Sequence, residues 1–112
     1  MQLSQRQCQA TRKGDPALSE EQIQTLITQV PGWHLAPGEA ELRRLFTFKS
    51  YLDGLAFVDA VARMAQAQDH HPDIEFGYKK ALVKWSTHAV EGLSENDFIC
   101  AAKCNELAPP QP

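Results

Sequence analysis

The strongest constraint on this chain is an apolar stripe of helical period that runs into a proline. Ala56, Phe57, Ala60, Val61 and Met64 fall at i, i+1, i+4, i+5 and i+8 between Tyr51 and Gln68, a spacing that places them on one face of an α-helix. A helix with one apolar face must bury it, so this segment is predicted to be the central helix of the fold. Pro72 biases His71 out of the α region and has no N–H for a continuing helix. The adjacent pair His70 and His71 is thereby set at a helix-to-loop junction.

The flanking segments change period. Ser19-Glu20-Glu21-Gln22 has the Ser-x-x-Gln spacing of a capping box, and Ile23, Leu26, Ile27 and Val30 follow at helical spacing until Pro31-Gly32 ends the run. From Trp33 to Phe48, Leu42, Arg44, Phe46 and Phe48 alternate against Arg43, Leu45, Thr47 and Lys49, with Pro37-Gly38 as a turn; two strands joined as a hairpin fit this pattern. After the proline, Ala81, Val83, Trp85 and Thr87 alternate with Leu82, Lys84, Ser86 and His88, predicting a strand with His88 on the face of Lys84 and Ser86. A last helix opens at Ser94-Glu95-Asn96-Asp97, carries Phe98, Ile99, Ala102 and Leu107, and gives way to Pro109-Pro110-Gln111-Pro112.

The expected fold is α+β in two layers: a four-stranded antiparallel sheet with three helices on one face, in the order α-β-β-α-β-β-α. With 112 residues the chain suits a single domain. Residues 1–17, polar and without apolar period, read as a flexible or loosely docked arm, residues 18–108 as the domain and 109–112 as a tail. The uncovered sheet face must be solvated or occupied by a partner. Leu45, Leu82 and Trp85 on strand faces raise the expectation of a homo-oligomer, a dimer or tetramer.

Composition narrows the function. A net charge of −3 provides no basic field for phosphate backbones, so no nucleic-acid partner is expected. No apolar stretch is long enough for a bilayer, and the N-terminal residues lack the apolar core of a secretory signal, so the cytoplasm is the expected location and no membrane partner is assigned. Cys8, Cys100 and Cys104 form neither a disulfide framework nor a Cys-x-x-Cys knuckle, and reduced buried thiols are the expectation for the last two. No metal is assigned, since adjacent histidines are awkward ligands for one tetrahedral ion and no cysteine lies nearby in sequence.

His70, His71 and His88 are the residues best suited to chemistry. Imidazole titrates near neutrality, so one ring can donate a proton while another accepts one. The plainer alternatives stand beside this: a His-His pair can satisfy the last carbonyls of a helix and complement its dipole, and a strand histidine is often a surface residue. Asp97 is at the third position of a Ser-x-x-Asp cap, which by itself accounts for its presence. Tyr78 and Trp85 can pack on a flat ligand or simply fill a core, and the core reading is preferred for Trp85.

Asp69-His70-His71-Pro72, Tyr78, Ser86-Thr87-His88, Gly92-Leu93-Ser94 and Asp97 resemble, in order and spacing, the signature of the pterin-4a-carbinolamine dehydratase family; the similarity extends over Leu18 to Leu107. The resemblance implies antiparallel strands with helices on one side, and removal of water from 4a-hydroxytetrahydropterin to give a quinonoid dihydropterin in tetrahydrobiopterin recycling. No cofactor is expected for that reaction. It implies that His70 and His88 handle protons at the 4a-hydroxyl and the ring nitrogen, that His71 holds the pterin, and that Gln66, Asp69, Pro72, Tyr78 and Asp97 contribute to substrate binding.

The chain departs from that pattern at Gln66, where the family's motif usually begins with an acidic residue four positions before the first histidine. A neutral amide can hydrogen-bond a pterin edge but cannot titrate or stabilise an imidazolium by charge; Asp69 is a nearby carboxylate. The family also includes dehydratase-like proteins that serve as protein-binding factors, one group resembling RuBisCO assembly factors associated with carboxysomes. A protein client is the alternative expectation. Transcriptional coactivation, known for some relatives, finds no support in the residues.

Overall fold

Each helix begins where a side chain replaces a missing backbone partner. Ser19 Oγ accepts the Gln22 N–H at 3.2 Å and Gln22 Oε1 accepts the Ser19 N–H at 2.8 Å, closing the expected capping box ahead of α1 (Glu20–Ile27). Ser50 Oγ accepts the Asp53 N–H at 3.1 Å and opens α2 (Tyr51–Gln68). At α3 (Glu95–Leu107), Asp97 Oδ2 reaches back to accept the Ser94 N–H at 2.9 Å. This computed structural model describes residues 2–38 and 40–112.

Four strands, β1 (His34–Leu35), β2 (Leu42–Thr47), β3 (Asp73–Gly77) and β4 (Lys80–Trp85), form one antiparallel sheet in the order β1-β2-β4-β3. The α+β architecture and element order are those expected from the sequence. Leu42 pairs with Trp85 and Phe46 with Ala81, while Ile74 pairs with Val83. Period-two alternation then sends Leu42, Phe46, Ala81, Val83 and Trp85 to the same face, where all five are buried.

The core lies between that face and the helices. Phe46 sits 4.6 Å from Phe57 of α2 and edge-on to Trp33 at 5.8 Å, separations typical of favourable aromatic pairs. Arg44 shares the inward face of β2 without leaving an unpaired charge: its guanidinium lies 4.7 Å from the Phe46 ring centroid and donates to Pro31 O and Asn105 Oδ1, each at 2.8 Å.

The buried stripe of α2 is Gly54, Phe57, Val61 and Ala65. Ala56, expected in the stripe, is exposed, and the buried line includes Gly54 instead, where the Phe48 and Phe76 rings lie against the helix. A Cβ at Gly54 would lie 3.1 Å from both the Phe48 and Phe76 rings. Trp85 is fully buried on the helix side and so contributes nothing to the outer sheet face, which carries the half-exposed Leu45 opposite Leu82. His88 is not on the strand: β4 ends at Trp85, and a mutual backbone bridge between Thr87 and Gly92 closes a short 3₁₀ turn, His88–Val90. Val90 and Leu93 anchor that loop in the interior.

The stretch read as a flexible or loosely docked arm lies along α3. Leu3 is buried in the core, the Lys103 ammonium donates to Ser4 O at 2.8 Å, and Asn96 makes paired hydrogen bonds with the backbone of Gln9 at 3.0 and 2.7 Å. Apart from Leu3, these attachments use backbone groups and leave no hydrophobic period in the sequence. Among the described residues no helix is long and apolar enough to cross a membrane.

Candidate functional site

The site starts from the way α2 stops. Asp69 takes the left-handed conformation (φ 52°, ψ 41°), its N–H donates to Gln66 O at 3.2 Å, and the His70 N–H donates to Ala65 O at 3.1 Å. This is a Schellman ending, and aspartate is among the few residues other than glycine that tolerate that backbone region. The helix therefore ends before Pro72 acts, and Asp69, exposed beside the site, makes the reversal that directs His70 inward.

His70 packs nearly parallel to Trp85, with ring centroids 5.4 Å apart and 15° between planes. Its Nε2 lies 2.6 Å from Asp97 Oδ1. Asp97 is fully buried, and its second oxygen accepts from Thr87 Oγ1 at 2.8 Å and from the Ser94 N–H at 2.9 Å. Asp97 Oδ2 thus makes the helix cap expected of this position, while Oδ1 meets His70; the buried carboxylate is not among the residues that line the depression holding the three histidines. A buried carboxylate with three donors is compensated in the way such groups must be.

The carboxylate accepts the Nε2 proton, so neutral His70 carries its lone pair on Nδ1, which has no hydrogen-bond partner among the described residues. Burial opposes the imidazolium, but the Asp97 hydrogen bond and charge, with smaller help from Cys8 and Asp69, outweigh it and raise the His70 pKa above its ordinary value. The ring is thereby equipped to hold a proton near neutrality and release it at Nδ1.

His71 points to the exposed side, where its Nε2–H donates to Gln66 Oε1 at 2.9 Å. The amide at the departing position thus performs one task of a carboxylate, fixing the histidine tautomer, without supplying charge. His70, His71 and His88 line one shallow depression of about 230 Å³, together with Asp69 and, from the N-terminal arm, Thr11. His88 is exposed and also borders a neighbouring depression of about 560 Å³ formed with Lys13, Gly14 and Asp15. Pro72 follows His71 and leads into β3. Tyr78 is not brought to this depression; it occupies the β3-β4 turn at the opposite end of β3, 70% exposed and beside Tyr51.

Three contributors have no such part in the sequence reading, which prefers Trp85 as a core residue and brings in Thr87 only through the resemblance. Thr11 belongs to the arm, Thr87 orients Asp97, and Trp85 provides a wall for the His70 ring. The inward parity of Trp85 and Thr87 on one strand pattern was the available signal for the last two.

Comparison with known proteins identifies the family and the fold. The sequence model of the family described as Pterin 4 alpha carbinolamine dehydratase matches residues 16–107. A Stenotrophomonas maltophilia protein named "Putative pterin-4-alpha-carbinolamine dehydratase" is 48% identical over 94% of this chain and 90% of its own length. A Nitrosospira multiformis protein of the same name is 48% identical over 94% and 91%. Among solved structures, a transcriptional coactivator/pterin dehydratase from Brucella melitensis superposes with a TM-score of 0.80 at 29% identity, covering 83% of this chain and 99% of that one. A pterin dehydratase-like protein described as a RuBisCO assembly factor in the alpha-carboxysome gives 0.61 at 27% identity, covering 69% and 89%. The chain belongs to the pterin 4 alpha carbinolamine dehydratase family.

Proposed function

We propose that this protein is an active 4a-hydroxytetrahydropterin dehydratase, a hydro-lyase that yields quinonoid dihydropterin for tetrahydrobiopterin recycling. The observation that carries the reading is the His70–Asp97 pair opening on a depression shared with His71 and His88. Hydroxide is a poor leaving group, and an acid that protonates it as the bond breaks contributes ~10²–10⁴-fold. In this reading the His70 imidazolium, sustained by Asp97, gives its Nδ1 proton to the 4a-hydroxyl, which departs as water. His88 takes the proton from the ring nitrogen, so that substrate becomes quinonoid product plus water. His88 then releases its proton to solvent, and solvent returns one to His70. His71, held by Gln66, binds the pterin edge, with Asp69 at the rim and Pro72 leading the chain away into β3.

Stopped-flow absorbance of 4a-hydroxytetrahydropterin tests this. Disappearance faster than in buffer, and slowed ~10²-fold or more in both His70→Ala and His88→Ala, is the expected result; equal rates for these variants and the parent protein would remove the assignment.

Self-association belongs to the same reading, supported by the exposed Leu45 opposite Leu82 on the outer sheet face. Sedimentation as a monomer at micromolar concentration would exclude it.

A protein-binding role is the second reading. It draws on the likeness to the carboxysome assembly factor and on the neutral Gln66. A stable complex with a larger client in pull-down, together with dehydration no faster than in buffer, would favour it over the enzyme.

A further inference from the structure

Three cysteines are free thiols, and two of them meet across nearly the whole chain. Cys8, half-buried on the N-terminal arm, places its Sγ 3.6 Å from Sγ of Cys100, which is fully buried on α3. The arm is held in position for this contact: the Cys8 N–H donates to Gln68 Oε1 at 2.8 Å, and the next residue, Gln9, is paired through its backbone with Asn96. We propose that Cys8 and Cys100 form a redox-active pair, oxidised by hydroperoxides to a disulfide that fastens the N-terminal arm to α3.

The two sulfurs are chemically unequal. The Cys8 thiolate is favoured first by the hydrogen bond from the Cys100 thiol, against burial, and then by the positive charges of His70 and Lys103, with Asp97 acting in the opposite direction. Cys100 is held protonated by the same hydrogen bond and by burial. Cys8 is only half-buried where Cys100 is fully buried, so Cys8 is the thiol a peroxide can reach and the nucleophile, and Cys100 is the resolving thiol. Cys104 is separate, buried beside Trp85 with its thiol pushed up to about 12, mainly by burial.

The chemistry balances in two steps. The Cys8 thiolate attacks one oxygen of hydrogen peroxide; the S–O bond forms, the O–O bond breaks, and the hydroxide released takes the Cys100 proton to become water. The Cys100 thiolate then attacks the Cys8 sulfenic acid; the S–S bond forms, the S–O bond breaks, and hydroxide leaves and is protonated. Two thiols and one peroxide become one disulfide and two waters.

The arm also carries Thr11, three residues beyond Cys8, at the edge of the histidine depression. Oxidation thus fixes one wall of the site to the helix that supplies Asp97, whatever reaction the site performs.

The test is peroxide treatment of the full-length protein, read by thiol titration, intact mass and peptide mapping. The expected result is a fall from three titratable thiols to one, loss of two hydrogens, and a Cys8–Cys100 cross-linked peptide, all reversed by dithiothreitol. The cross-link closes a long loop and should raise the thermal midpoint by about 10 °C or more. In Cys100→Ala the reaction should stop at a dimedone-trappable Cys8 sulfenic acid, and in Cys8→Ser no thiol should be consumed. Retention of all three thiols, an intermolecular link, a link through Cys104, or sulfinic acid on Cys8 without a cross-link would each overturn the proposal.

Discussion

His70 Nε2 lies 2.6 Å from Asp97 Oδ1, joining the end of α2 to the first turn of α3. Neither residue is placed by the other's secondary structure. The left-handed Asp69 aims His70, and the helix-capping geometry at Ser94 aims Asp97. The same carboxylate therefore maintains a helix terminus and a histidine charge.

Removing that carboxylate should cost stability as well as chemistry. Asp97→Ala removes the acceptor of the Ser94 N–H and of the Thr87 hydroxyl, leaving the Thr87 hydroxyl only Ser94 Oγ at 2.8 Å. A loss of about 1–3 kcal/mol is expected, measured from the midpoint of urea unfolding. A midpoint equal to that of the parent would show that these hydrogen bonds contribute nothing net.

The raised His70 pKa gives stability a pH dependence of definite sign. The folded-state pKa lies above the unfolded value of 6.5, so the folded state binds the proton more tightly. The His70 contribution is complete below that unfolded value and is lost as pH rises through the folded pKa. Urea midpoints at about pH 6 and about pH 9 should differ more in the parent protein than in His70→Gln. Identical differences would mean that the pair confers no linked stability.

Gln66→Glu adds a charge to an exposed hydrogen bond that already fixes His71. Exposed pairs are worth little, so kcat should stay within about fivefold of the parent. A gain much larger than that would identify the amide as a defect of the site.

His88 and Tyr78 form a contrasting pair of probes. His88 borders the depression with His70 and His71, whereas Tyr78 projects from the far turn of the β3-β4 hairpin. His88→Ala should slow dehydration ~10²-fold or more, and Tyr78→Ala should leave it within about twofold, as for an ordinary surface substitution. The reverse order would place the substrate elsewhere.

These placements show what the sequence makes legible and what it hides. Local rules were sufficient for the Ser19 and Ser94 helix starts, the Pro37-Gly38 hairpin and the inward parity of Ala81, Val83 and Trp85, because each depends on neighbours within a few residues. The end of α2 depended on the φ of Asp69, which composition does not reveal, and Pro72 was the more visible but later signal. Strand alternation was continued through His88 because nothing in Ser86-Thr87-His88 announces the Thr87–Gly92 bridge that breaks it. His70, His71 and His88, singled out by their imidazoles, line one depression. Thr11 was invisible because its segment is fastened by backbone hydrogen bonds to Asn96 and a lysine contact at Ser4, and neither leaves a hydrophobic pattern. The meeting of Cys8 with Cys100 follows from the same docking.

The decisive measurement is the first-order rate of 4a-hydroxytetrahydropterin dehydration at neutral pH in buffer, with the parent protein and with Asp97→Asn. Asparagine keeps the size of the side chain but removes the charge that sustains the His70 imidazolium. The expected result is clear acceleration by the parent and a loss of ~10²-fold or more in Asp97→Asn, with its circular dichroism unchanged. A parent rate equal to buffer, or an Asp97→Asn rate equal to the parent, would contradict a dehydratase built on the His70–Asp97 pair.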